Sequence, residues 1–387
     1  MLNQILTILD TNNEKQKYAV VAQFIDWSKA FDRQDPTIGV QNFIKHGVRS
    51  TLIPTLKSFF QNRTMSVKWH GLTSQSRDLP GGVPQGSTFG NIEFDVSSDK
   101  NAEHIDADMR YKFVDDLTTL EKLNLLAVGL ASYNFKAHVA SDIGTEQHYL
   151  PPKNFNGQKS LDTIENWTEE NKSKLNVDKS KIMVFNFTSN HQFSSRLYLG
   201  GKLLETITET KILGTIVTSD LKWHSNSEML TKKAYQRMRM LQKLKSFGVD
   251  DEDLRTIFIL YIRSILELNC QVWHFSLSVE EELNFERVQK VACFLILHER
   301  YENYQQALTL LNLETLKSRR TNLCLKFAKK CVKHPTATNM FPLNRELEIN
   351  LKNREKFHVQ SSRTDRLLFS TIPQLQRMLN FDHSKRS

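Results

Sequence analysis

The sequence predicts an α+β protein in which strands and helices mix up to about Trp223 and helices alone follow. The first observation is an apolar, β-branched run over 19–25, which is typical of a buried strand. The second is the helical spacing that begins with Leu230 and Ala234. The third is charge: the chain of 387 residues carries +9, and residues 230–387 hold 27 basic and 17 acidic side chains. This excess favours an anionic partner for the helical part.

The other elements follow from local patterns. Short polar residues favour a tight turn at Asp115–Asp116, and alternation on both sides of Gly71 predicts a hairpin. The predicted elements after the first strand are helices over 37–46 and 50–60, a hairpin of 64–70 and 72–79, a helix from Ser87, strands over 110–114 and 117–120, a helix over 161–174, a strand over 181–187 and short strands over 198–217.

Capping signals organise the helical part. Asp250 is suited to begin one helix, and Ser278 with Glu281 forms a capping-box pattern before another. A basic helix is predicted over 316–332. Residues 122–160, with two prolines, resemble an insertion containing a helix or two, and the polar last fifty residues are expected to be loosely ordered.

Several classes of protein are excluded or disfavoured. No apolar run approaches the ~18 residues of a spanning helix, so we expect no membrane-spanning segment. The first ten residues lack the pattern of a secretory signal. The four cysteines form no CxxC pair, which disfavours a zinc ribbon or a disulfide scaffold, and we expect Cys324 and Cys331 to be buried thiols.

Acidic residues at two strand ends indicate chemistry. Asp26 ends the first strand, and Asp115 lies at the tip of a predicted hairpin. If these strands are neighbours, their carboxylates converge, and crowded carboxylates are costly unless cations lie between them. Mg²⁺ commonly binds through one or two carboxylates together with substrate phosphates, and two such ions about 4 Å apart stabilise a phosphoryl transfer. Taken alone, however, an aspartate in either position is usually a turn residue or a helix cap.

Three segments in order carry a family resemblance. FIDWSKAFD (24–32), GVPQGS (82–87) and FVDD (113–116) resemble polymerase motifs A, B and C of the reverse transcriptases of non-LTR retrotransposons. LNVDKSK (175–181) resembles motif D, and KILGTIVTSDLKW (211–223) resembles motif E. The resemblance covers roughly residues 15–333 and includes the helices of that family's thumb.

The resemblance implies a polymerase fold. It predicts a palm, an antiparallel sheet backed by helices, over 1–190, with only a remnant of the fingers. The motif E hairpin would cover 191–223, a helical thumb 224–333, and a basic, loosely ordered tail 334–387. The implied function is RNA-directed DNA polymerisation, with two Mg²⁺ ions (or Mn²⁺ as the alternative) and with an RNA template, a DNA primer and deoxynucleoside triphosphates as partners.

The resemblance also assigns roles to single residues. Asp26 and Asp115 would be the principal metal ligands, with Asp116 beside them. Phe31 would lie under the sugar of the incoming nucleotide and leave no room for a 2′-hydroxyl; otherwise it is a core residue. Lys179 would protonate the leaving pyrophosphate, although surface lysines near a strand are common.

Motif B and the thumb would contribute binding residues. Gln85 and Gly86 would lie near the nucleotide and the template, where glycine lets the backbone approach closely. We expect phosphate contacts from basic residues of the thumb, although solvated helix faces explain any one of them equally well. The candidates are Lys232, Lys233, Arg237, Arg239, Arg319 and Arg320.

The sequence departs from the family in three places. Glu93 and Asp95 put charge where the family packs apolar side chains, the stretch over 122–160 is longer than usual, and the family's fingers and endonuclease would lie upstream of Asp26. The alternative is therefore an inactive, truncated remnant that still binds nucleic acid, and we expect little primer extension from this chain. An RNA-templated RNA polymerase would share the palm chemistry, but Phe31 argues against it.

Overall fold

A computed structural model describes residues 1–13, 16–79, 81–84, 86–125, 156–188, 196–344 and 356–384. The chain divides into two compact units, Met1–Ile207 and Thr208–Ser387. The first unit thus extends beyond residue 190, where the predicted palm ends. Most of the predicted insertion at 122–160 lies outside the described residues; its described ends continue a strand and begin a helix.

The first unit mixes helices and strands. Its helices are α1 (Leu2–Asp10), α2 (Pro36–Lys45), α3 (Ile53–Phe60), α4 (Thr88–Ser98) and α5 (Gly157–Glu170), with single 3₁₀ turns at Ser50–Leu52 and Ala107–Met109. Its strands are β1 (Tyr18–Ile25), β2 (Arg63–Met65), β3 (Lys68–Trp69), β4 (Leu72–Thr73), β5 (Arg77–Leu79), β6 (Arg110–Phe113), β7 (Asp116–Asn124), β8 (Lys181–Phe185), β9 (Tyr198–Leu199), β10 (Lys202–Leu203) and β11 (Glu205–Thr206).

A five-stranded sheet organises this unit, with the order β11-β8-β1-β7-β6. The central strand β1 is antiparallel to both β7 and β8. Its residues 19–23 and Ile25 are buried, as its largely apolar sequence predicts, while Tyr18 and Phe24 are half-buried. Val21 and Ile182 of the sheet pack with Leu161 and Ile164 of α5. The predicted antiparallel sheet backed by helices is confirmed; the short strand β11, parallel to β8, is the exception.

The predicted hairpin about Gly71 is also confirmed. β2 pairs with β5, and β3 pairs with β4. His70 and Gly71 form its two-residue turn with positive φ angles of 45° and 83°. Positive φ at both central residues is the geometry that matches the twist of two antiparallel strands.

The second unit is helical after one hairpin. The hairpin consists of β12 (Glu209–Ile212) and β13 (Thr215–Thr218). The helices are α6 (His224–Ser246), α7 (Asp251–Ile257), a π-helical segment (Phe258–Arg263), α8 (Ser264–Leu266), α9 (Cys270–Trp273), α10 (Val279–Leu297), α11 (Tyr304–Leu310), α12 (Leu316–Lys333), α13 (Asp365–Leu368) and α14 (Thr371–Ser384), with 3₁₀ turns at His274–Ser276, His298–Arg300 and Thr338–Met340.

Local signals account for the ends of these helices. The Asp250 side chain accepts a hydrogen bond from the Asp253 N–H, and Ser278 and Glu281 form the predicted capping box. Leu230 and Ala234 of α6 are buried, as their spacing predicts. All four cysteines are free and buried.

The prediction of a loosely ordered tail was wrong for residues 356–384. Helices α13 and α14 form there, and Leu367, Leu375 and Leu379 are buried. The few apolar residues of this segment lie on one side of short helices. Their burial stabilises the helices, although most residues of the segment are polar. No helix among the described residues is both long and apolar enough to cross a lipid bilayer.

Candidate active site

Asp26 is fixed by its own backbone. It directly follows β1, and its N–H donates a hydrogen bond to Ser180 Oγ at 3.2 Å. Its carbonyl oxygen accepts one from the Asn176 N–H at 2.8 Å. The chain before β8, where the motif D resemblance lies, therefore holds the end of β1 in place, and the Asp26 carboxylate projects from a rigid position.

Asp115 lies in the turn between β6 and β7. Phe113 pairs with Asp116, so Val114 and Asp115 form a two-residue turn and Asp116 already belongs to β7. The predicted Asp115–Asp116 turn was therefore wrong by one residue. Val114 adopts a φ of 56°, a left-handed conformation that is unusual for a β-branched residue and costs on the order of 1–3 kcal/mol.

The sheet register brings the three aspartates to one edge. Ile25 pairs with Leu117, so Asp26 follows β1 where Asp116 begins β7. Burial raises the pKa of Asp26, and the negative charge of Asp115 raises it further. Burial likewise raises the pKa of Asp116, with contributions from Asp115 and Asp26. These mutual effects place the three carboxylates within electrostatic reach of one another.

Lys179 lies at the same edge. Its positive charge and a hydrogen bond from the Asn176 side chain both lower the pKa of Asp26, against the effect of burial. The Lys179 and Ser180 N–H groups each donate to the Asn176 carbonyl oxygen, which makes a tight turn. The turn thus presents a cation and an amide donor to Asp26.

Phe31 contacts the segment with the motif B resemblance. Its ring is half-buried and stacks on Phe94 of α4 with centroids 4.4 Å apart and planes 16° apart. Its carbonyl oxygen accepts a hydrogen bond from the Val83 N–H at 2.9 Å. Phe31 therefore packs as a core residue packs, and the same packing would hold its ring rigidly beneath a ligand.

The other two residues predicted to contact nucleotide are less informative. Gln85 lies outside the described residues. Gly86 is exposed and has a φ of 82°, and a Cβ there would meet nothing within 4 Å. Its backbone conformation, rather than crowding, accounts for glycine at this position.

A cleft adjoins the aspartate edge. Asp115 and Asp116 line it, together with Phe94 and the two tryptophans Trp27 and Trp167, whose rings meet edge to face at 6.4 Å. Asp26 is not part of its lining. Three basic side chains that were not predicted from the sequence also line the cleft: Arg33, Lys112 and Lys174. Arg33 follows the segment resembling motif A, and Lys174 precedes the segment resembling motif D.

The carboxylates suit a divalent cation in their chemistry. Asp26 Oδ2 is buried and accepts no hydrogen bond from the described residues. Oxygen donors of this kind are the ligands that Mg²⁺ prefers. The described part of the chain shows, however, no group of three or more His, Cys, Asp or Glu side chains arranged to hold a metal ion. Asp26, Asp115 and Asp116 thus offer the charge and an unpartnered oxygen that suit a cation, without the arrangement of a formed metal site.

The basic residues of the second unit that were predicted to contact phosphate are of three kinds: exposed and unpaired, bonded within the unit, and, for Arg320, fully buried. Lys232, Lys233 and Arg239 of α6 are exposed and pair with no described acidic residue. Arg237 donates to the Tyr261 carbonyl oxygen at 2.6 Å, and Arg319 forms an ion pair with Glu267 at 3.0 Å. Only the first kind is free to contact phosphate without breaking an internal contact.

Arg320 corrects the prediction. Its side chain is fully buried, with the guanidinium 4.8 Å from the Phe285 ring centroid and 5.7 Å from that of Trp273. Its Nε lies 3.4 Å from His274 Nδ1, and burial, together with this cation, lowers the pKa of His274 to about 4. Arg320 is therefore a core residue of the second unit and does not reach a nucleic-acid surface.

Comparison with known proteins gives two sequence relatives. The chain is 24% identical over 281 residues, 69% of its length, to a probable RNA-directed DNA polymerase from transposon BS of Drosophila melanogaster. It is 34% identical over 92 residues, 24% of its length, to a probable RNA-directed DNA polymerase from transposon X-element of the same organism. No protein-family model matches.

Among solved structures, the chain is similar to telomerase from Candida albicans in complex with a fragment of telomeric RNA. The TM-score is 0.36 at 12% identity, over 88% of this chain and 52% of that one. The chain spans 27% of the length of the first sequence relative and 10% of the second. Over most of its own length, it is similar in sequence to the RNA-directed DNA polymerases of transposons, as the motifs around Asp26, Gly82 and Asp115 predict.

Proposed function

We propose that this chain contains the catalytic core of an RNA-directed DNA polymerase. One observation carries the proposal: Asp26, at the end of β1, and Asp115 and Asp116, at the turn between β6 and β7, lie at one edge of the sheet beside a cleft. Two sequence relatives named as probable RNA-directed DNA polymerases support it. The substrates would be deoxynucleoside triphosphates, and the partners an RNA template and a DNA primer.

The chain's own residues would orient the reactants. Asp26 is held by backbone hydrogen bonds on both sides, so its carboxylate is preorganised and costs little to position during the reaction. Asp26, Asp115 and Asp116 would hold Mg²⁺, which supplies charge neutralisation at the attacking and leaving oxygens. Lys179, at the same edge, would give a proton to the leaving pyrophosphate.

Phe31 would select the sugar. Because its ring is stacked on Phe94, it has little freedom to move aside for a 2′-hydroxyl. This packing favours deoxynucleotides over ribonucleotides. Replacement of Phe31 by alanine should therefore relax sugar selection more than it lowers the rate with deoxynucleotides.

Primer extension on an RNA template with Mg²⁺ tests the proposal. Product from the wild-type chain, which we expect to be small, should be lost in Asp115→Asn and retained in Asp78→Asn, a matched change of charge at an exposed position of β5. Product that is undiminished in Asp115→Asn would overturn the proposal.

The second candidate function is nucleic-acid binding without catalysis. The observation in its favour is that the described residues contain no group of three or more ligand side chains arranged for a metal ion. It predicts no extension by the wild-type chain, together with RNA binding that weakens steeply as salt increases, through Lys232, Lys233 and Arg239. Extension that depends on Asp115 would exclude it.

A further inference from the structure

A basic stretch separates the segments that resemble motifs A and B. Residues 36–77 contain no aspartate or glutamate. Their basic side chains, histidines apart, are Lys45, Arg49, Lys57, Arg63, Lys68 and Arg77. All of these except Arg63 are exposed, and none of the exposed ones forms an ion pair with a described residue. The stretch therefore presents unpaired positive charge to solvent, which favours an anionic partner.

The hairpin about Gly71 lies within this stretch. Its outer part is residues 65–77, which we call the arm tip. The pair Met65–Arg77 closes one ladder of the hairpin and the pair Lys68–Thr73 begins the next. Two residues separate these pairs on the first strand and three on the second, so the arm tip contains a β-bulge.

Apolar side chains are exposed on the arm tip. Trp69 and Leu72 lie directly opposite each other in the register, so their side chains share one face of the ribbon. Trp69 is 72% exposed and Leu72 is 77% exposed, and Val67, two residues before Trp69, is exposed as well. Single exposed apolar residues are ordinary, but a cluster of them marks an interaction surface.

Arg63 fixes the base of the arm tip to the first unit. Its guanidinium donates hydrogen bonds to the carbonyl oxygens of Phe60 at 3.1 Å, Gly81 at 3.0 Å and Gly82. Phe60 belongs to a buried cluster that includes Val40 of α2. The arm tip is therefore held on a packed support, which reduces the entropy that a partner must remove on binding.

We propose that the arm tip binds single-stranded RNA, with a base stacked on Trp69 and with phosphates contacted by Lys68 and Arg77. Exposed aromatic rings beside cations are the components with which proteins hold single strands. The exposed hydroxyl and amide side chains of the arm tip include Ser66, Thr73, Gln75 and Ser76. They favour RNA over DNA, because the 2′-hydroxyl of RNA both donates and accepts hydrogen bonds.

A second copy of the chain is the other candidate occupant of this face. Two arm tips packed together would bring like charges into contact, which costs free energy. The β-bulge also disfavours pairing between the ribbon edges of two copies. Charge and ribbon geometry therefore both favour RNA. The inference goes beyond the proposed function, since the arm tip contains none of the residues that would catalyse the reaction.

Fluorescence anisotropy of a labelled oligouridylate, titrated with the full chain, tests the proposal. We expect Trp69→Ala to weaken binding about tenfold, within the range for one lost base–aromatic stack. Trp69→Phe keeps an aromatic face and should retain most of the affinity. Phe381→Ala, which removes an exposed ring of the second unit, is the matched control and should leave the affinity unchanged. An RNA duplex should bind the wild type and Trp69→Ala equally, because its bases are already stacked.

Salt dependence tests the phosphate contacts. Lys68→Gln and Arg77→Gln should each reduce the slope of log affinity against log salt by about 0.7, the value for a single strand. Lys202→Gln should leave the slope unchanged, because Lys202 is paired with Asp178.

Equal oligouridylate affinity in the wild type and in Trp69→Ala would overturn the proposal. A dimer in sedimentation that Trp69→Ala abolishes while RNA affinity stays the same would also overturn it, in favour of a second copy. A Trp69→Ala effect on oligothymidylate alone would exclude RNA as the partner. Failure of primer extension would contradict only the proposed function, because the binding assay needs no nucleotide and no catalysis.

Discussion

Asp26 and Arg320 are buried or half-buried ionisable groups that both leave polar atoms without hydrogen-bond partners among the described residues. They differ in what surrounds them. Two more carboxylates face Asp26, and a cleft lies beside them, whereas aromatic rings and a neutral histidine enclose Arg320 completely. Burial disfavours both charges, since it lowers the pKa of Arg320 and raises that of Asp26. Glu286, Glu282 and the aromatic faces partly offset the charge of Arg320, whereas Asp115 adds to the cost of the Asp26 charge and Lys179 opposes it.

This difference indicates which group serves a ligand. A charge compensated inside the fold contributes to stability, while a site of like charges costs stability and is retained where a ligand compensates it. The comparison therefore assigns the first unit's acidic edge to chemistry. Arg320, which follows Arg319 in a basic helix, is buried and therefore does not contact phosphate.

The largest expected effect is at Asp26. Asp26→Asn should lower Mg²⁺-dependent extension at least ~100-fold, the scale of removing one preorganised electrostatic group. Without metal, the same variant should have a higher Tm at neutral pH, because a raised pKa means that ionisation of Asp26 disfavours the folded state. Calorimetry and primer extension measure the two effects. A lower Tm together with unchanged extension would show that the Asp26 charge stabilises the fold and does not serve a ligand.

Arg320→Ala should have the next largest effect, on stability. Loss of a fully buried side chain should lower the free energy of unfolding by about 3–5 kcal/mol. Arg319→Ala, which removes a partly exposed ion pair with Glu267, should cost about 1 kcal/mol or less. Urea denaturation followed by circular dichroism measures both. Similar values for the two variants would show that Arg320 is less enclosed than its contacts indicate.

Glu93→Gln should stabilise the chain in a pH-dependent way. A carboxyl pKa raised from 4.5 to about 7 stabilises the fold below the lower value, and this contribution is lost as pH rises through the upper one. Above neutral pH, the variant should therefore unfold with a free energy about 2–3 kcal/mol greater than the wild type, and below pH 4.5 the two should agree.

The smallest effects concern the exposed cations of α6. If Lys232 contacts a phosphate, Lys232→Gln should reduce the slope of log affinity against log salt by about 0.7–0.9 and weaken RNA binding only a few-fold. Lys233→Gln and Arg239→Gln should behave alike. Lys317→Gln is the control, because Lys317 is paired with Glu282 at 2.8 Å. Fluorescence anisotropy over a salt series measures the slopes, and equal slopes in all variants would exclude α6 as a contact.

The acidic site could be anticipated because each aspartate has a local signal. A buried strand ends at Asp26, and two predicted strands flank the turn at Asp115, so strand pairing alone places the carboxylates at one edge. The exact turn could not be anticipated, since Val114 adopts a backbone conformation that β-branched residues avoid. The helices at 365–384 were not predicted, because their buried residues are few and scattered among polar ones.

Local pattern by itself determined most of the strands and helices between residues 18 and 333, the acidic strand ends, and the basic excess of the second unit. Only tertiary structure decided which charges are free. Arg319 and Arg320 are adjacent in sequence, yet one forms an ion pair near the surface and the other is enclosed by Trp273 and Phe285. Glu93 is buried, while Asp95 of the same helix is exposed. The reason is physical: the free energy of a charge depends on its solvation and its neighbours, and packing between distant segments sets both.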